Sequence, residues 1–117
     1  MLSLQKIIAT IDQNSHSIKA FGVKRFGIFG SFAREEATES SDIDFLVEFN
    51  FLRNCAFDDL KNYLETLFDR EIDLNPIFAL YPHTRKKILN EVLFFWENKN
   101  YINSIFFRLK LKLYTVS

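Results

Sequence analysis

Residues 27–49, GIFGSFAREEATESSDIDFLVEF, carry two acids where an apolar strand has little use for them. Asp42 and Asp44 stand two apart in DIDFLVEF, a segment that otherwise reads as a strand. Side chains i and i+2 of a strand point the same way, so the two carboxylates are expected to be neighbours. Like charges at that range repel, and one pKa rises unless a cation stands between them. Hard divalent cations such as Mg2+ take oxygen ligands and usually share their shell with phosphates. Asp73, flanked by Ile72 and Leu74 in EIDLN, is a third acid on a second predicted strand. If that strand lies beside 42–49, three carboxylates converge. Three acids can hold two metals, or hold one while the third takes a proton from an attacking hydroxyl.

Gly30-Ser31 offers the complementary half. A glycine at a strand end lets backbone approach a ligand closely. The N–H groups of Ser31 and the residues after it are predicted to open a helix, which favours an anion. The Ser31 hydroxyl adds a donor for a phosphate oxygen. Arg34, one turn on, is placed for a bidentate phosphate contact. The stretch is neither a G-x-G-x-x-G fingerprint nor a Walker loop. Phosphate donors on one side and metal-binding acids on the other fit metal-assisted nucleotidyl transfer. The acceptor hydroxyl attacks the α-phosphate in line and pyrophosphate leaves.

These groups need elements to position them. Leu4, Ile7, Ile8 and Ile11 repeat at helical spacing, and polar DQNSHS then leaves open whether the helix resumes to Ala20. VKRFGIF, 23–29, reads as a strand ending at Gly30, and SFAREEA as a short helical turn with Ser31 at its start. TESSD is a turn in which Ser41 serves as a cap. In the strand 42–49, Ile43, Phe45, Val47 and Phe49 form an apolar face opposite Asp42, Asp44, Leu46 and Glu48. A helix over 57–69 buries Phe57, Leu60, Leu64, Leu67 and Phe68, with Asp58 and Asp59 complementing its dipole. A strand over 71–77 ends near Pro76, and Pro82 opens a helix expected to run to about residue 95. The result is an α/β (α+β) domain with a small mixed sheet and helices packed on it.

Length and composition bound the rest. A chain of 117 residues with 14 Phe favours one domain with an aromatic core, held without disulfides because Cys55 stands alone. No apolar run approaches the roughly 20 residues of a membrane span, and no signal peptide is recognisable, so a cytoplasmic protein is expected. The zero formal net charge gives no footprint for direct nucleic-acid binding. His16 and His83 lack metal-ligand company, and RKK at 85–87 reads as a solvated face.

GSFAREEATESSDIDFLVEF closely resembles the Gly-Ser … Ser-Asp-x-Asp signature of the minimal nucleotidyltransferases (MNT), in the polymerase-beta-like superfamily. REIDLNPIFALYPHTRKKILNEV resembles that family's second block, and the likeness spans roughly 20–93. It implies a polymerase-beta-like fold, with Gly30 and Ser31 as the phosphate-holding pair and Asp42, Asp44 and Asp73 as metal ligands. It also implies Mg2+ and ATP, and transfer of AMP to a hydroxyl, in studied pairs a tyrosine of a cognate HEPN toxin neutralised by the MNT antitoxin. The family's usual Gly after Ala-Arg is Glu35 here, followed by Glu36. A second reading keeps the fold as a nucleotide-binding module that neutralises a HEPN partner by binding alone.

Residues 1–96 are expected to form the nucleotidyltransferase domain and 97–117 an extension, within the same domain or at a partner interface. The tail's Ile102, Ile105, Phe106, Leu109 and Leu113 fit a helix, which is expected over 100–107. LFFW, 93–96, and IFF, 105–107, supply core, with enough apolar surface left for an interface in a homo- or hetero-oligomer.

Overall fold

The computed structural model describes residues 1–50 and 56–96; Cys55 and the tail beyond Trp96 lie outside them. The chain opens with helix α1 (Leu4–Gln13), whose first turn is capped by Ser3 Oγ accepting from the Lys6 N–H. Asn14 stops it, donating through its side chain to the Thr10 carbonyl, and α2 (Ser15–Lys19) follows at once. Strand β1 (Val23–Phe29), the one-turn helix α3 (Gly30–Ala33) and strand β2 (Ile43–Phe49) come next. Helix α4 (Ala56–Phe68), strand β3 (Ile72–Pro76), a 3-10 turn (Ile77–Ala79), helix α5 (Pro82–Glu91) and strand β4 (Leu93–Trp96) complete the described chain.

The sheet order is β3-β2-β1-β4, with β2 and β3 parallel and the other neighbours antiparallel. It is therefore the small mixed sheet expected, with one strand more than the pattern gives. The expected helix to residue 95 stops at Glu91, because Val92 turns extended (φ −62°, ψ 140°) and 93–96 pair with β1. An apolar aromatic run of four carries no period to separate helix from strand. The open edge of β1 decides it, since pairing there satisfies backbone donors and buries Phe94, Phe95 and Trp96. Gly27 admits the new strand. A methyl built there would come within 2.7 Å of Val92 Cγ2 and 3.0 Å of the Leu93 carbonyl oxygen.

Each face of the sheet has its own core. On one, α1, α2 and α4 pack Ile7, Ile11, Ile18, Leu60 and Leu64 on Phe26, Phe45 and Ile72. A register shift in the β1–β4 pairing goes with consecutive Phe95 and Trp96 both joining this larger core. On the other, the 3-10 turn and α5 bring Ile77 and Ile88 onto Phe29, Leu46 and Phe94. The second core is short. It covers Leu46 completely but leaves Asp44, two residues earlier, half-buried. That is how a buried strand carries a carboxylate: its acid lies at the uncovered end of the smaller face.

Candidate active site

Asp44 is paired in register with Asp73 across the parallel β2–β3 ladder and with Phe29 across β1. The condition set by the sequence, that the second acidic strand lie beside the first, is met. Asp42 stands in the lead-in to β2 and is exposed, as is Asp73. Burial pushes the Asp44 carboxyl up to about 7; a hydrogen bond with Asp73 and the charges of Asp73 and Asp42 add to this, while Arg34 opposes it. The Asp44 carboxyl thus keeps its proton toward neutral pH when no cation is near.

Among the described residues, no group of three His, Cys, Asp or Glu side chains stands ready to hold a metal ion. The paired Asp44 and Asp73 are brought together, whereas Asp42, exposed in the lead-in to β2, is not grouped with them. The donor set still fits a hard divalent cation, because it is all carboxylate oxygen and because its mutual repulsion is what a cation relieves.

Gly30 follows Phe29 directly and has φ +74°, a conformation that favours glycine. Asp44 fills the space where a side chain would go: a methyl on Gly30 would lie 3.0 Å from Asp44 Cγ and closer still to the carboxylate. The Gly30-Ser31 turn therefore sits directly on the central acid. Ser31 is half-buried at the start of α3.

Arg34 is already engaged. Its Nη1 donates to both oxygens of Glu91 at 3.2 and 3.1 Å, and its Nε donates to Glu36 at 3.2 Å. Glu36 first and Glu91 second hold the guanidinium pKa above its ordinary value. Glu91 also accepts from the Gly30 N–H at 3.1 Å. Glu35 takes φ +58°, which accounts for a glycine being usual at that position, and its carboxylate accepts from Gln5 at 3.4 Å. With Leu2, Gln5 and Phe32, Glu35 lines a cavity of about 230 Å3 that none of the three aspartates lines.

Two residues at the site escape a reading of the sequence. Arg70 donates to the Ser41 carbonyl at 2.8 Å and lies over the Phe32 ring at 5.4 Å, so it ties the lead-in to β2 onto α3. Ser41 caps the turn as expected, accepting from the Thr38 N–H at 2.9 Å. Glu91 is the other. An acid in the last turn of a helix opposes the helix dipole, a mismatch hidden from the sequence, where the helix is expected to run on to about residue 95.

The nucleotidyltransferase domain family model matches residues 7–95 of this chain. Protein adenylyltransferase MntA of Thermococcus cleftensis is 35% identical over 96 residues, covering 80% of this chain and 97% of that protein. A solved minimal nucleotidyltransferase structure superposes with TM-score 0.70 at 32% identity, over 78% of this chain and 94% of the other. The fold also matches a Shewanella oneidensis complex of a tri-AMPylated HEPN toxin with its MNT antitoxin, with TM-score 0.53 and 19% identity, over 75% of this chain and 73% of that one.

Proposed function

Since this chain belongs to the nucleotidyltransferase domain family and is a minimal nucleotidyltransferase, we propose that it moves AMP from ATP to a hydroxyl acceptor, a tyrosine of a HEPN-domain partner. The observation that carries the reading is the Asp44–Asp73 pair lying under the Gly30-Ser31 turn. Asp42, Asp44 and Asp73 would hold Mg2+, which when bound supplies charge stabilisation at the α-phosphate. Ser31 presents its hydroxyl to a phosphate oxygen. The acceptor oxygen forms a bond to the α-phosphorus as the bond to the β-phosphate bridging oxygen breaks, and pyrophosphate departs. The acceptor's proton passes to a carboxylate of the aspartate group. The HEPN partner rests on the toxin–antitoxin complex that shares this fold. Among the described residues no helix is long and apolar enough to cross a membrane.

The test is transfer from α-labelled ATP with Mg2+, with and without a co-encoded HEPN protein, beside the Asp42→Ala/Asp44→Ala double variant. Label on the partner that the variant fails to deliver is expected. A stable complex that masks the partner's activity with no label would favour the pure binding module instead.

A further inference from the structure

We propose that Glu91 is a positioning residue for the nucleotide site, a role that rests on the transferase reading above. Its carboxylate does two things at once. It accepts from the Gly30 N–H at 3.1 Å, and it takes Arg34 Nη1 on both oxygens at 3.2 and 3.1 Å. Gly30 is the residue against which Asp44 packs, and Arg34 is a cation close enough to act on the Asp44 carboxyl. Glu91 therefore joins the end of α5 to the phosphate turn and, through it, to the central acid.

The position itself disfavours an acid. The last turn of a helix exposes unpaired carbonyls and disfavours negative charge. The Glu91 side chain is 28% exposed, so it is partly desolvated as well. Both costs are offset because Arg34 and the Gly30 amide converge on it. Gly30 itself is buried, and its N–H has no other acceptor among the described residues. Losing the acceptor leaves a buried donor unsatisfied, a penalty that the turn can escape only by moving.

A competing role is that Glu91 merely occupies donors that a phosphate wants. Magnitudes decide between the two. Arg34 is 47% exposed, so the charge it shares with Glu91 is screened by solvent and salt. The Gly30 amide is buried and gains no such relief. Geometry therefore outweighs charge, and removing Glu91 weakens nucleotide binding rather than strengthening it.

The experiment is calorimetric titration of the full chain with a non-hydrolysable ATP analogue and Mg2+, at low and high salt and well below the melting temperature. The variants are Glu91→Ala and the isosteric Glu91→Gln, which keeps the fold if Ala does not. The Gly30 amide proton is followed by NMR in the same samples. Glu91→Ala is expected to lower affinity about tenfold, the equivalent of one charge-assisted hydrogen bond, at both salt concentrations. Glu91→Gln, with one acceptor oxygen, recovers part of it, and the Gly30 amide shift moves in both. Affinity equal to or above wild type in the folded variants would overturn the proposal, as would an unmoved Gly30 resonance; a lowered melting temperature alone would make Glu91 only structural. Wild type that binds no nucleotide would instead remove the transferase reading and the Glu91 role with it.

Discussion

Asp44 and Asp73 face each other in register on parallel strands, and Asp44 holds a proton up to a pH of about 7 on account of its burial and its partner. Between its ordinary 3.8 and about 7, the folded protein binds a proton that the unfolded chain has released. Stability from this group is thus fully present below the lower value and falls as pH rises through the window. Metal-free thermal melts are expected to show Asp44→Asn gaining on wild type steadily from acid to neutral pH. Mg2+ should stabilise wild type more at the alkaline end, where the carboxylates are charged, and Asp44→Asn little at either end. A difference between the two proteins that stays flat across pH would mean that Asp44 does not titrate in this window.

Gly30→Ala should damage the site twice. Its φ of +74° costs a non-glycine residue about 1–2 kcal/mol. The new methyl also displaces the Asp44 carboxylate, which fills that space. Urea melts are expected to show a loss somewhat above that range. Transfer should fall far more than stability, because Asp44 is moved off the position proposed for metal binding; equal transfer per folded molecule would contradict this.

What the sequence made legible follows from how locally each feature is determined. The Asp44–Asp73 pair was readable because each acid interrupts an apolar strand, and the parallel pairing of β2 with β3 aligns them; Asp42 falls before β2, outside the strand period. The Gly30 turn was readable because the strand VKRFGIF ends there, where the chain takes a conformation that favours glycine. The last strand was not, since 93–96 carry no period and only the open edge of β1 makes them a strand. Nor were Arg70 and Glu91. Each bonds to a residue 29 or more positions away, Ser41 in one case and Gly30 in the other, through contacts that exist only once the sheet has formed. The acidic partners of Arg34, Glu36 and Glu91, were not legible either, since the second lies far along the chain.

Glu35→Gly should stabilise the protein. Glu35 adopts φ +58°, and relief of that strain is worth about 1–2 kcal/mol. Extra freedom in the unfolded chain takes back about 0.4–1 kcal/mol, and the exposed 3.4 Å contact to Gln5 adds little. The expected net is a rise of a few degrees in melting temperature. Transfer should be unchanged, because Glu35 lines the cavity beside α1 and not the aspartate pair. A fall in melting temperature would show that the Gln5 contact outweighs the strain.

Arg70→Lys should loosen Asp42 without touching it. Arginine donates to the Ser41 carbonyl and stacks over Phe32 in one planar group, which lysine cannot imitate. Stability is expected to drop by about 1–2 kcal/mol. Mg2+ affinity should weaken severalfold, because the lead-in to β2 carries Asp42 into place. Magnesium titration separates the effects: unchanged affinity with lowered stability would leave Arg70 a purely structural tie.

Gly27→Ala tests whether the fourth strand and the site are one mechanical unit. The added methyl meets Val92 Cγ2 at 2.7 Å and the Leu93 carbonyl at 3.0 Å, and the second of these is backbone that cannot rotate away. Overpacking of this kind costs about 1–3 kcal/mol. Val92 follows Glu91, so pushing β4 outward pulls Glu91 away from Gly30 and Arg34. Both stability and ATP affinity should therefore fall. Phe95→Ala is the control. It empties a fully buried site in the larger core, on the opposite face of the sheet, and should cost about 3–5 kcal/mol. Its folded fraction should nonetheless bind ATP nearly as wild type does. Loss of affinity in Gly27→Ala but not in Phe95→Ala places the coupling in the Val92–Glu91 connection; equal loss in both would reduce it to general loosening of the domain.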